Sequence, residues 1–238
     1  MAYDGTSYCG FQRQVPTQPT IQGEIERALE KVAAQTIAIT GAGRTDSGVH
    51  ARGQVISFEL AWRHDEQTLL RAINAYLPHD IALVSLSRAA PDFHPRFDAR
   101  RRAYQYYIYN RPVRNPLHRL YSWHVKRPLD LEAMNAAAAH LPGTHDFATF
   151  GQPIQSESTI RRIFRAKWRV HDEFVVFDIE GNAFLYRMVR SLVGSLCAVG
   201  RRDWTVDEFA AAFRAADRSL AATTAPAHGL VLVSVNYD

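Results

Sequence analysis

Hydrophobic periodicity along this chain alternates between the two-residue repeat of a half-buried strand and the 3.6-residue repeat of an amphipathic helix, in an order that occurs twice. The first half opens with a strand stub before Tyr3-Asp4-Gly5. A helix starts at Thr20, a suitable N-cap, with Ile21, Ile25, Ala28, Leu29 and Val32 on one face. Pro16 and Pro19 mark the loop ahead of it. Ile37 to Thr40 and Gln54 to Leu60 read as strands that form a hairpin. Asp65 to Leu77 reads as a helix closed by Pro78, and Ile81 to Leu86 as a further strand. In the second half the aromatic strand Ala103 to Tyr109 leads into a helix from Asp130 to Leu141. A hairpin of Ile160 to Val170 and Phe174 to Ile179 comes next. Helices from Phe184 to Val199 and, with Thr205 as N-cap, from Val206 to Ala216 precede a last strand, Val231 to Tyr237. The order β, α, β, β, α, β is the split βαβ arrangement of ferredoxin-like units. The expectation is an α+β chain of two ferredoxin-like βαββαβ units, residues 1–97 and 98–238, with a cleft between them. The boundary falls after the proline-bounded connector Ala89 to Pro95, and the second unit carries one extra helix. No residue-level repeat accompanies the duplication.

From the first strand of this hairpin into the second runs GAGRTDSGVHARGQVISF, Gly41 to Phe58. Gly41, Gly43 and Gly48 surround Arg44, Thr45, Asp46 and Ser47, so flexible backbone presents a charged cluster between apolar runs. The plain alternative is a long connecting loop with turn glycines. Two phosphate-binding patterns fail on detail: a dinucleotide fingerprint needs a small residue at Asp46 and a following helix, and a Walker loop needs Lys then Ser or Thr where Val49 and His50 stand. A hydrolase triad of Ser47, His50 and Asp46 lacks a nucleophile elbow, and a metal site from His50, Asp46 and a distant His is equally weak. What remains is one carboxylate, Asp46, near the cation Arg44, with a second arginine from the other unit expected as its partner. An opposite charge within hydrogen-bond reach holds a carboxylate ionised at neutral pH. One ionised carboxylate suffices as a nucleophile when a departing base activates a sugar carbon toward an oxocarbenium ion.

Composition narrows the classes. No apolar run reaches the length of a membrane helix and the N-terminus has no signal-peptide pattern, so a cytoplasmic location is expected. Cys9 and Cys197 stand far apart without ligand spacing, which supports neither a disulfide framework nor a zinc site and points to two reduced thiols. The formal net charge of +4 and a pI near 9.2 favour an anionic partner. The basic residues are 3 Lys against 25 Arg, which suits bidentate phosphate recognition and equally reflects a GC-rich coding sequence. In Ile160 to Val170, Phe164, Ala166, Trp168 and Val170 alternate with Arg165, Lys167 and Arg169. One face is expected in the core and the other, cationic, either tracks a phosphate backbone or is simply solvated. In the helix from Phe184, Arg190 sits among Met188, Val189, Leu192 and Val193, and Gly194 leaves room for a neighbour. A guanidinium at such a seam calls for a carboxylate partner.

At Ala42-Gly43-Arg44-Thr45-Asp46-Ser47-Gly48-Val49-His50-Ala51 the chain closely resembles the TruA-like tRNA pseudouridine synthases. The resemblance continues through Tyr3-Asp4-Gly5, Gly10 to Gln14, Thr20 to Gly23, Asn74 to Pro78, Phe93 to Phe97, Tyr104 to Tyr106, Asp146-Phe147, Asn182 to Phe184, Met188 to Arg190 and Gly229-Leu230. It implies two ferredoxin-like domains, a homodimer, and isomerisation of uridine at positions 38 to 40 of the tRNA anticodon arm, without cofactor or metal. Asp46 corresponds to the nucleophile and Arg190 to the arginine paired with it. Tyr104 corresponds to the tyrosine on the target base, Arg44 to the residue that contacts or displaces the flipped nucleotide, and Leu230 to a lining residue of the uracil pocket. Spacing alone would make Tyr104 one aromatic among several in its strand. Ser47 stands where the family often has Ala, and Val231 where it often has an aromatic. Met1-Ala2 leaves little of the apolar strand that precedes Tyr-Asp-Gly in the family, so either an upstream start or a shortened first strand is expected. The rival reading is an RNA-binding or tRNA-folding protein of the same fold without turnover; an anion facing RNA phosphates would serve it poorly.

Overall fold

A computed structural model describes residues 1–14, 18–153 and 158–238; the expected loop position Pro16 lies outside the described residues. In chain order the elements are β1 (Ala2–Tyr3), α1 (Ile21–Ala33), β2 (Thr40–Gly41), β3 (His50–Ala51), β4 (Ile56–Ser57), α2 (Glu66–Tyr76), β5 (Ile81–Ala82) and β6 (Arg101–Tyr109). They continue as β7 (Trp123–His124), α3 (Leu131–Ala138), β8 (Gly143–Asp146), β9 (Ile160–His171), β10 (Phe174–Gly181), α4 (Met188–Gly200), α5 (Val206–Ala215) and β11 (Leu230–Asn236). The protein is a mixed α+β chain whose strand pairs are mostly antiparallel. It divides into two compact units, Met1–Arg100 with Leu232–Asp238, and Arg101–Val231. The last strand therefore ends in the first unit, where the Arg52 amide donates to the Leu232 carbonyl and the Arg100 amide to the Asn236 carbonyl.

In the first unit β1 lies between β5 and β3, pairing Tyr3 with Ile81 on one side and with Ala51 on the other. β2 and β4 close the expected hairpin, Thr40 opposite Ser57 and Gly41 opposite Ile56. The strands are shorter than the sequence pattern suggests, and side chains explain why. The Ile39 amide donates to the Glu26 carboxylate, which is buried, so Ile37 and Ile39 enter the core without joining a ladder. The Asn74 side chain of α2 takes both the amide and the carbonyl of Leu83, which ends β5 early. α1 begins where Thr20 accepts from the Gly23 amide, and α2 where Asp65 accepts from the Thr68 amide.

In the second unit β8, β9, β10 and β6 are consecutive antiparallel neighbours, with β7 added parallel to β6. α3 is N-capped by Asp130 and α5 by a Thr205–Glu208 capping box. Asn135 of α3 bonds both backbone groups of Trp168, anchoring the helix to β9. Trp168 packs 4.7 Å from Phe177, and Phe150 stacks on Phe209 at 5.6 Å. Two expectations fail here. The helix expected from Phe184 starts at Met188, because Arg187 is left-handed (φ 59°) and Tyr186 bridges to Gln152. The alternation expected along β9 breaks at a register shift opposite Glu180 and Gly181, where Arg165 pairs with Glu180 but Ile163 with Gly181. Ile163 thereby fills the core. Phe164 lies half-buried beneath the Arg101 and Arg162 guanidiniums at 4.6 and 5.4 Å, and Val170 is exposed. Part of the cationic face is neutralised as well: Arg169 binds Asp178 at 2.6 Å, while Arg165 and Lys167 stay exposed.

No helix among the described residues is long and apolar enough to cross a membrane. Cys197 is buried in α4, and burial pushes its thiol up to about 12, whereas Cys9 is half-buried. The thiolate of Cys197 is thus suppressed throughout the neutral range. Iodoacetamide at pH 8 is expected to label Cys9 in the native protein and Cys197 only after unfolding, as read by peptide mass mapping.

Candidate active site

The loop from β2 to β3 carries Arg44 and Asp46, and its shape is imposed by the segment that follows β1. Thr45, between the two charged residues, is buried. Its hydroxyl meets the Tyr3 hydroxyl at 2.8 Å and its carbonyl accepts from the Phe11 amide at 3.1 Å. The Ser47 hydroxyl donates to the Tyr8 carbonyl, and the Val49 amide closes a turn onto the Asp46 carbonyl. At the loop's base the Ala42 amide donates to Val55, and the fully buried Gln54 donates from Nε2 to the Gly43 carbonyl at 2.9 Å. With the backbone held on both sides, Arg44 points to solvent and Asp46 is half-buried.

The glycines differ in what they do. Gly48 has φ +77°, and Gly10, which lies against Thr45 and Ser47, has φ +95°. A side chain on Gly41 would strike the Phe11 ring, whereas one on Gly43 would meet nothing within 4 Å. Gly5 is the tightest contact with the loop: an added Cβ would stand 2.1 Å from the Val49 carbonyl oxygen. His50 is buried with Nδ1 at 3.1 Å from both the Gly5 amide and Asp4 Oδ1, so its ring braces the N-terminal segment. The Ser47 proton goes to a carbonyl and His50 faces Gly5, so the hydrolase arrangement does not form. Among the described residues no group of three or more His, Cys, Asp or Glu is placed to hold a metal ion.

Tyr104, Arg190 and Leu230 belong to the second unit, and residues 225–230 connect their surroundings. Arg190, on the first turn of α4, donates from Nε to the Ala225 carbonyl at 2.9 Å, and the Ala225 amide donates back to the Arg190 carbonyl. Gly194, one turn on, lets the Thr223 backbone approach: a Cβ there would stand 2.0 Å from its oxygen. Tyr106 of β6 donates its hydroxyl to the Pro226 carbonyl, and burial holds that phenol well above its ordinary pKa. Gly229 packs on the Tyr106 ring where a side chain would not fit, which delivers Leu230, buried, to the start of β11. Tyr104, two residues before Tyr106, is half-exposed with its ring edge-on to Phe184 at 5.1 Å.

Sequence reasoning about roles passed over Tyr3, Thr45 and Gln54, the polar groups that hold the loop. Their signal was faint: a glutamine heading an apolar strand, and a tyrosine beside the chain start.

A family model described as tRNA pseudouridine synthase matches residues 1–98 and 137–238. A protein of Pelobacter propionicus named tRNA pseudouridine synthase A is 44% identical over 236 residues, 99% of this chain and 96% of that protein. Proteins of the same name from Moorella thermoacetica and Borrelia duttonii are 44% and 42% identical, each over 100% of this chain and 97% of theirs. The chain belongs to the tRNA pseudouridine synthase family.

The contrast between Gly5 and Gly43 is testable. Gly5→Ala is expected to lower stability by roughly 1–3 kcal/mol, as overpacking against fixed backbone does. Gly43→Ala should stay within about 0.5 kcal/mol, as an open surface site does. Thermal unfolding of the two variants measures the difference.

Proposed function

We propose that this chain converts uridine to pseudouridine in tRNA, at positions 38 to 40 of the anticodon arm, with Asp46 as the nucleophile. Membership of the family supports the reaction. The observation that carries the assignment of Asp46 is the clamped backbone around it: Thr45 is bonded through both hydroxyl and carbonyl, yet the next side chain remains partly open to solvent. A carboxylate so held is oriented before substrate arrives, which lowers the entropic part of a barrier.

The reaction breaks the bond from C1′ to N1 of uracil, forms one from C1′ to C5, and moves the C5 proton away while N1 regains one. Atoms and electrons balance within the nucleotide, so the exchange calls for no electron carrier. The base must leave the helical stack to be turned over, a displacement proposed for Arg44, which is exposed next to the catalytic residue. The carboxylate of Asp46 supports positive charge at C1′ or bonds to it while the base is detached. Arg190 is assigned as the cation that the family pairs with this aspartate, Tyr104 as the ring against the target base, and Leu230 as an apolar wall of the uracil pocket.

The same reading includes two ferredoxin-like domains, residues 1–97 and 98–238, a homodimer, and a cytoplasmic location. In its support, β1 lies between β5 and β3 in the first unit while β2 pairs with β4; in the second, β10 lies between β6 and β9, with α3 and α4 at the expected places in chain order.

Unmodified tRNA incubated with the protein should acquire pseudouridine at positions 38 to 40, detected chemically position by position. Asp46→Ala is expected to slow this by about 10³-fold or more, as loss of a nucleophile does. Equal modification by both proteins would overturn the assignment, and none by either would favour the RNA-binding reading. Arg190→Ala should reduce turnover by at least about tenfold more than it reduces tRNA affinity, the mark of an interaction made in the transition state. Single-turnover rates and filter binding separate the two quantities.

A further inference from the structure

The second unit holds a pocket that the proposed reaction does not use. After β6 the chain makes a loop that returns as β7 beside the strand it left. Asn110 closes the base of that loop: its side-chain amide donates to the Val125 and Arg127 carbonyls at 2.7 and 2.8 Å, and its oxygen accepts from the Leu129 amide. Within the loop the Asn115 side chain caps the turn at Pro116–His118, and the Ser122 hydroxyl donates to the His118 carbonyl. The backbone so pinned borders a cavity of about 330 Å³, in the range of about 300–1,000 Å³ common to small-molecule sites. Tyr104, Arg190 and Leu230 take no part in its lining.

Four rings line the cavity, those of Tyr109, His118, Trp123 and His124. The Tyr109 ring lies 5.3 Å from His118 and 5.9 Å from His124. His124 Nε2 stands 2.8 Å from the Arg111 carbonyl, and His118 Nε2 stands 2.7 Å from the Glu173 carboxylate. Both partners are acceptors, so each ring donates through Nε2, and in the neutral ring Nδ1 is left as an acceptor. The histidines do not form a metal centre, because among the described residues no group of His, Cys, Asp or Glu is placed to hold an ion. Arg114 and Arg119 complete the chemistry: both line the cavity, both are exposed, and among the described residues neither guanidinium makes an ion pair. Residues 111–127 contain Arg111, Arg114, Arg119, Lys126 and Arg127 and no Asp or Glu, so the loop favours an anion.

We propose that this pocket binds one nucleotide with an amino-bearing base, supplied by an unpaired stretch of RNA or as a free nucleotide. The base stacks on the rings, which every base can do through its π face. Its exocyclic amine donates to a histidine Nδ1, and its phosphate meets the Arg114 and Arg119 guanidiniums, which suit phosphate oxygens. The site rests on the geometry of this loop and not on the role of Asp46.

Calorimetric titration of the full chain with AMP tests it. AMP is expected to bind saturably, and UMP, whose base has no exocyclic amine, roughly tenfold more weakly for want of that hydrogen bond. Replacing both exposed arginines, Arg114→Gln with Arg119→Gln, should weaken AMP about tenfold, as loss of charge-assisted bonds does, and leave both adenosine binding and the unfolding temperature unchanged. Oligoadenylate that displaces AMP identifies RNA as the source of the nucleotide, whereas AMP retained in its presence identifies the free nucleotide. Asp46→Ala should bind AMP as the unaltered protein does, which separates this outcome from the reaction on tRNA; weaker binding there would put AMP at the Asp46 loop and overturn the proposal. No binding at millimolar AMP, binding no tighter than that of UMP or inorganic phosphate, or equal binding by the double variant would overturn it as well.

Discussion

The hydrogen bond from the Phe11 amide to the Thr45 carbonyl joins two stretches far apart in sequence, and the geometry of the charged loop depends on it. It requires Gly10 in a left-handed conformation beside Thr45 and Ser47, and Gly5 with no side chain beneath Val49. Tyr3 and Tyr8 supply the neighbouring contacts, one through its hydroxyl and one through its carbonyl. The segment after β1 is therefore a mould for the loop. A change in either surface is felt by Asp46 through bonded backbone, because Asp46 sits between the two residues, Thr45 and Ser47, that the mould grips.

Helix side chains act as strand partners in both units. Asn74 of α2 takes the amide and carbonyl of Leu83, and Asn135 of α3 does the same for Trp168. Glu26 of α1 accepts from the Ile39 amide, and Arg13 reaches the other oxygen of that carboxylate at 2.8 Å. These groups satisfy backbone that would otherwise be unpaired near the core. They also fix how each helix sits on its strands, since a side-chain amide with two bonds to one residue tolerates little sliding.

Helix starts were legible wherever a cap residue preceded an amphipathic run. Thr20, Asp65, Asp130 and Thr205 each accept from an amide three residues on, a local interaction that needs no distant partner. The start of α4 was not legible. Phe184 and Leu185 extend its apolar pattern, but the left-handed backbone of Arg187 and the bridge from Tyr186 to Gln152 depend on a segment more than thirty residues earlier. The bulge at Phe164 was hidden for a similar reason, because a register shift is set by the partner strand and leaves no mark in the strand that bulges.

The chemistry of the candidate site divides in the same way. Asp46 and Arg44 stood out in the sequence because a dense charged cluster among glycines, between two apolar runs, cannot be core. Its order of residues also carried the likeness to the family. What the sequence by itself determined was therefore local: the helices, their caps, the hairpin around the loop, and the carboxylate it presents. Only the tertiary structure decided which groups hold that carboxylate in place. Tyr3 and Phe11 reach the loop through single hydrogen bonds between segments distant in the chain, and Gln54 through one across the loop's own base; such bonds have no periodicity to betray them. Gly43, prominent in the motif, has open space around it, while Gly5, inconspicuous in the sequence, is pressed against the Val49 carbonyl, because the need for glycine is set by what packs against it.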